Sequence, residues 1–318
     1  MSTSEHGTAD GASREQERGV LYGAAAYGLW GIFPLYFHIL SPADAIEILI
    51  HRIFWTFLFC IIAWLWMRDL AWVRPLLRSP RRLALLSLAA VVIAANWGLY
   101  IYAVTSENVV ESSLGYFINP LMLVLSGVFL LGEKLRRLQW IAVGLGALAV
   151  AIITFDYGRP PWLALGLAVT FTIYGFVKNR VGGGIPALAS MTTETVVLLP
   201  FSIAGLIWLE VSGRGTFTVD APWHGLAMVG TGIVTPIPLI LFAAAASRIP
   251  LTTVGLLQFL APILQLIIGV VVLGESVPGV RWIGFGIVWI ALVILTVDTM
   301  QVARRKRATR EASLRAAA

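Results

Sequence analysis

Residues 120–144 read PLMLVLSGVFLLGEKLRRLQWIAVG, and residues 262–286 read PILQLIIGVVVLGESVPGVRWIGFG. Sliding the chain by 142 residues lays one on the other without a gap. Pro120 lands on Pro262, Gly127 on Gly269 and Val128 on Val270. Leu131-Gly132-Glu133 lands on Leu273-Gly274-Glu275, Trp140-Ile141 on Trp282-Ile283, and Gly144 on Gly286. Chance likeness between apolar segments does not put a Pro, three Gly, a Glu and a Trp in one register. The chain is therefore a duplication. Upstream the likeness fades, and Gly115 meets Gly255 only with a two-residue shift.

Composition says what is duplicated. Of 318 residues, 58% are hydrophobic and 13% charged, with a mean hydropathy of +0.84. Soluble domains average roughly 45–50% apolar and about 25% charged residues. Charges this sparse do not cover a water-soluble globule, and disorder, collagen and coiled coil fail on the same figures. A membrane-crossing helix needs about 20 mostly apolar residues. Ten segments qualify: 19–40, 44–67, 82–105, 109–131, 138–155, 161–178, 186–209, 222–246, 251–273 and 281–300. The first is longer than a signal-peptide core of about 7–15 residues and is expected to stay as a span. The single cysteine, Cys60, excludes a disulfide or cysteine metal centre within the chain and reads as a small hydrophobe.

The cations set the orientation. With the amino terminus inside, inner loops and tails hold 19 of the 23 Lys and Arg. Outer loops hold only Arg159, Arg214 and Arg281, and Arg52 alone falls within a span. This is a strong positive-inside bias. It assigns the net charge of +6 to anionic lipid rather than nucleic acid. The fold class expected is an all-α polytopic membrane protein of ten helices, arranged as two inverted five-helix repeats. Because five is odd, the second repeat starts on the opposite side, as in many secondary transporters. The expected organisation is a disordered cytoplasmic tail at 1–18, repeats at 19–156 and 157–300, and a basic cytoplasmic tail at 301–318. A duplicated receptor, scaffold or membrane enzyme is the alternative. The chain has no HExxH, GxSxG or P-loop, and its loops are too short for an output domain.

Ionisable and polar groups inside spans mark the candidate path for a small-molecule substrate. Such a charge needs a partner or water. Arg52 and Glu194 occupy equivalent places 142 residues apart, and the expectation is that they pair or share a central wet cavity. Glu194 or Glu111 is the candidate proton carrier. Ser112, Tyr116 and Asn119 form one helical stripe, and Gly255, Gln258, Pro262, Gln265 and Gly269 another. Asn96, with Tyr100 one turn on, is a further candidate. Pro120 frees the carbonyl of Tyr116, and Pro262 that of Gln258, so both are expected kinks beside the path. Pro236 and Pro238 are an expected double break in the eighth span. Trp30 and Trp97 are suited to stacking on cargo or to packing. His51 reads as a satisfied interfacial histidine or a proton switch. Glu133 and Glu275 are expected to cap helix ends or pair with Lys134 and Arg281. Gly144, Gly146, Gly284 and Gly286 are suited to close helix contacts, within the chain or in a homodimer.

Several strings resemble a known family. SLGYFINPL at 113–121, FLLGE at 129–133 and the second Gly-Glu at 274–275 are similar to the EamA type of the drug/metabolite transporter superfamily. EILIHR at 47–52, NW at 96–97, ETVVLLP at 194–200, GIVTPIPL at 232–239 and LLQFLAP at 256–262 resemble its RarD-type permeases, associated with chloramphenicol sensitivity. The likeness spans nearly everything but the tails. It implies a multi-pass bacterial inner-membrane transporter that exports a small metabolite or drug without cofactor or ATP. Pro236 departs from the family pattern, where Thr is usual, so no hydroxyl role carries over to that position.

Overall fold

The computed structural model describes residues 3–132, 134–182, 185–218 and 220–317. Their helices are α1 (Thr3–Ile39), α2 (Ala45–Met67), the short α3 (Val73–Leu77), α4 (Pro80–Thr105), α5 (Val109–Leu131), α6 (Arg137–Tyr157) and α7 (Trp162–Val181). There follow α8 (Ala187–Ser212), α9 (Pro222–Val234), α10 (Pro236–Ala246), α11 (Leu251–Leu257), α12 (Leu260–Ile267), a π-helical turn (Ile268–Val272) and α13 (Gly279–Ala317). Ten spans result, within a few residues of those predicted. α9 and α10 share one, Pro222–Ala246, and α11, α12 and the π turn share another, Thr253–Val272.

Local chemistry sets the ends. Asp44 accepts the Glu47 amide at 2.8 Å and starts α2. Gly132, Gly158 and Gly213 close α5, α6 and α8 with φ of +68°, +64° and +65°. Side chains other than glycine are strained there. α1 begins at Thr3, upstream of its membrane span at Glu15–Ile39.

Packing carries the inverted symmetry. Exchange each span for the one five places on. The contact of α1 with α10 becomes that of α7 with α4, and α1 with α12 becomes α7 with α5. Likewise α2 with α9 becomes α8 with α4, while α2–α8, α5–α12 and α6–α13 map onto themselves. A two-fold axis in the membrane plane requires this pattern. All of these contacts join one repeat to the other, so the halves interleave rather than sit side by side.

Without a hydrophobic force between helices in lipid, close fit has to hold them. A Cβ on Gly232 of α9 would fall on the Trp55 carbonyl of α2, and one on Gly115 of α5 would lie 2.8 Å from the Ala164 carbonyl of α7. Gly146 meets Leu121, and Gly284 meets Ile153, inside the chain. Gly144 and Gly286 meet no described residue within 4 Å. Large apolar residues such as Trp66, Phe129, Phe155 and Trp223 are exposed around the bundle, where lipid would lie.

Candidate functional site

The close approach of α9 to α2 at Gly232 determines what happens one turn further along. α10 runs unbroken through Pro236 and Pro238, so the expected double break is a single one, at Thr235 between α9 and α10. The Thr235 hydroxyl accepts the Arg52 Nε at 2.9 Å. The guanidinium lies over the Trp97 ring of α4, 4.2 Å from its centroid, and 5.5 and 5.9 Å from the Phe37 and Phe33 rings of α1. Tyr36 and Tyr100 pack against the Phe37 ring, and Tyr116 against Tyr100. Arg52 is only 4% exposed, and among the described residues no carboxylate lies within ion-pairing distance of it. Both repeats build this site, α1, α2, α4 and α5 from the first and α9–α10 from the second.

Polar atoms without partners recur in the same interior. The Tyr100 hydroxyl, Asn119 Oδ1 and Gln265 Oε1 are buried and make no hydrogen bond to any described residue. Tyr100 meets Tyr116 edge to face at 5.7 Å and Phe37 at 6.0 Å. Gln265 of α12 donates through Nε2 to the Trp30 carbonyl at 3.1 Å. That carbonyl is the one Pro34 leaves free within α1.

Arg52 and Glu194 do not pair, which corrects the first of the two expected arrangements. Glu194 is 3% exposed and binds Lys178 Nζ at 2.6 Å, with Tyr174 at 3.2 Å and Ser190 at 3.0 Å. Lys178 and Tyr174 of α7 and Ser190 of its own helix take up the Glu194 carboxylate, while Thr235 and the Trp97 ring take up the Arg52 guanidinium. Lys178 was legible only as an inner-face cation, and Thr235 only as a neighbour of the prolines.

The remaining candidates divide. Asn96 ties α4 to α7, donating through Nδ2 to the Leu167 carbonyl at 3.1 Å and to Thr170 Oγ1 at 2.9 Å. Glu111 caps α7 through the Leu163 amide at 3.0 Å and pairs with Arg159 at 3.0 Å. Pro120 sits inside an unbroken α5, whereas Pro262 follows a true interruption between α11 and α12 at Gln258 and Phe259. His51 is satisfied, accepting from Trp55 Nε1 at 3.1 Å and stacking on Phe217.

A cavity of about 340 Å³ opens at the end where α2, α5 and α7 begin, lined by Glu107, Glu111, Tyr157, Glu275 and Arg281 among others. Glu275 does not pair with Arg281. It accepts the Val109 and Val110 amides at 2.6 and 2.8 Å, capping α5, and Arg281 turns to Asp156 at 2.5 Å. Burial lifts the Glu275 carboxyl above its ordinary range, against the pull of those two amides. Arg136 grips Asp298 at the other end, at 2.9 and 3.0 Å through Nε. Glu133 lies outside the described residues.

Similarity to known proteins is extensive. The EamA-like transporter family model matches residues 17–155 and again 160–297. The RarD protein of Streptomyces exfoliatus is 49% identical over 302 residues, covering 95% of each chain. The RarD protein of Escherichia coli K12 is 36% identical, with 92% of this chain and 98% of that one covered. A Pseudomonas aeruginosa protein named chloramphenicol-sensitive protein RarD is 30% identical, with 91% and 97% covered. A solved crystal structure that is 19% identical covers 88% of this chain and 97% of its own with a TM-score of 0.57, a likeness of fold.

Proposed function

The chain belongs to the EamA-like transporter family of multi-pass bacterial inner-membrane proteins, and from that premise we propose that it exports a small metabolite or drug by alternating access. The observation that carries this is the Arg52 site, a buried charge and several unpartnered polar atoms held in mid-bundle by helices of both repeats. Ionisable groups at membrane depth stand on substrate or ion paths as a rule. Interleaving makes the moving bodies mixed ones. One comprises α1, α2 and α9–α12, the other α4, α5, α7 and α8, meeting chiefly along α2–α8, with α5–α12, α2–α4 and α8–α10 beside it. Two near-equivalent bodies have two near-equal packings, one open to each side. Both termini face the cytoplasm on the charge rule, and the name of the Pseudomonas relative is in keeping with drug-sized cargo.

Export is driven by the proton gradient in this proposal, with Glu194 as carrier. Glu111 is committed to capping α7, while Glu194 lies inside a span with Lys178 as a counter-ion that exchanges with a proton. Metabolite profiles of cells lacking and overproducing the protein identify the cargo, and proteoliposomes then measure flux. Imposed pH gradients are expected to drive wild-type flux, and Glu194→Gln to abolish that drive at normal protein levels. Unchanged gradient-driven export by Glu194→Gln ends the proton assignment, and chemical conversion of the cargo ends the transport proposal.

A further inference from the structure

We infer that the cargo is an organic monoanion, a single carboxylate on an aromatic or apolar body, and that Arg52 is the group that holds the carboxylate. The inference rests on the proposed transport function and adds the substrate class.

Charge comes first. Isolated cations are expensive inside a membrane, and removing water from one without supplying a counter-charge is strongly unfavourable. Arg52 nonetheless lies 96% out of solvent, with one hydrogen bond, to a neutral hydroxyl. The corresponding charge in the other repeat, Glu194, has its own cation. Among the described residues Arg52 therefore has no counter-charge, which leaves one positive charge that one carboxylate neutralises and a dianion overshoots.

Shape comes second. Guanidinium is planar, stacks on aromatic faces and binds a carboxylate through two parallel N–H groups. Here one face is stacked on Trp97, and Nε is taken by Thr235. Both terminal nitrogens make no hydrogen bond to any described residue. The surroundings supply the rest. Phe33, Phe37, Tyr100 and Tyr116 give an aromatic wall, and the unpartnered Tyr100 hydroxyl is a second donor for the same carboxylate. Asn119 Oδ1 and Gln265 Oε1 are free acceptors for an N–H or O–H on the body of the cargo.

The test uses purified full-length protein in detergent. Phenylacetate, 3-phenylpropionate and indole-3-acetate are each compared with the matching amide, and thermal melting is recorded against concentration. A saturable rise in melting temperature is expected for at least one acid, with its amide at least tenfold weaker. Arg52→Lys is expected to weaken the effect and Arg52→Gln to remove it. If Arg52→Gln does not survive purification, the wild-type comparison of acid with amide decides alone. No acid exceeding its amide, or Arg52→Gln responding as wild type does, overturns the inference. Chloride titrated against gluconate is the control, and stabilisation by chloride equal to that by the acids overturns the assignment to cargo. Carboxylate binding that needs Arg52 but brings no flux in liposomes removes transport and leaves the binding site standing. Flux of neutral cargo with no preference for acids does the reverse.

Discussion

Gly232 is the residue on which the site geometry turns. It has no side chain, and a Cβ would strike the Trp55 carbonyl. Only glycine therefore lets α9 lie close enough to α2 for Thr235 to meet Arg52 at 2.9 Å. Overpacking a close contact costs about 1–3 kcal/mol, and backbone has no rotamer with which to yield. Gly232→Ala is expected to lower stability by at least that much and to weaken every response that depends on Arg52. Thermal melting of the purified variant measures it, and a melting temperature equal to wild type would show that α9 does not approach α2 this closely. The sequence flagged Arg52 because a charge in an apolar run is conspicuous. It did not flag Thr235, since a hydroxyl costs little anywhere in a helix. Nor did it pair Glu194 with Lys178, since spacing along one chain does not say which helices become neighbours.

At the scale of the helix, breaks and their repairs are the working parts. Pro34 removes an amide from α1 and leaves the Trp30 carbonyl free, and Gln265 of α12 supplies the missing donor at 3.1 Å. The two residues lie 231 positions apart and belong to different repeats. Their coupling is testable by a double-mutant cycle. Gln265→Leu is expected to cost about 0.5–2 kcal/mol in the wild-type background. In a Pro34→Ala background the cost should fall to near zero, because the restored amide at residue 34 takes the carbonyl back. Equal costs in both backgrounds would show that Gln265 does not serve this break. The ten spans and the interruptions at Pro236 and Pro262 were legible because length, hydropathy and the missing proline amide act locally. The continuity of α5 through Pro120 was not, since neighbouring helices can hold a proline-containing helix together.

For the whole molecule, the repeat was legible in the register of Pro, Gly and Trp, but the interleaving of its halves was not. That arrangement matters because a pocket between interleaved bodies has walls from both repeats at every depth. In the proposed mechanism, motion of one body against the other moves the opening rather than the pocket. Two carboxylate caps at one end, Glu111 on α7 and Glu275 on α5, tie the repeats to each other. The central claim is that one pocket opens to each side in turn. It is tested most directly by placing a single cysteine at Asn119 in a Cys60→Ser background and adding a membrane-impermeant thiol reagent to either face of oriented vesicles. Alternating access predicts that reagent on either side labels the full population in time, and that a tightly bound cargo slows labelling from both. Labelling from one side only, however long the exposure, would contradict it.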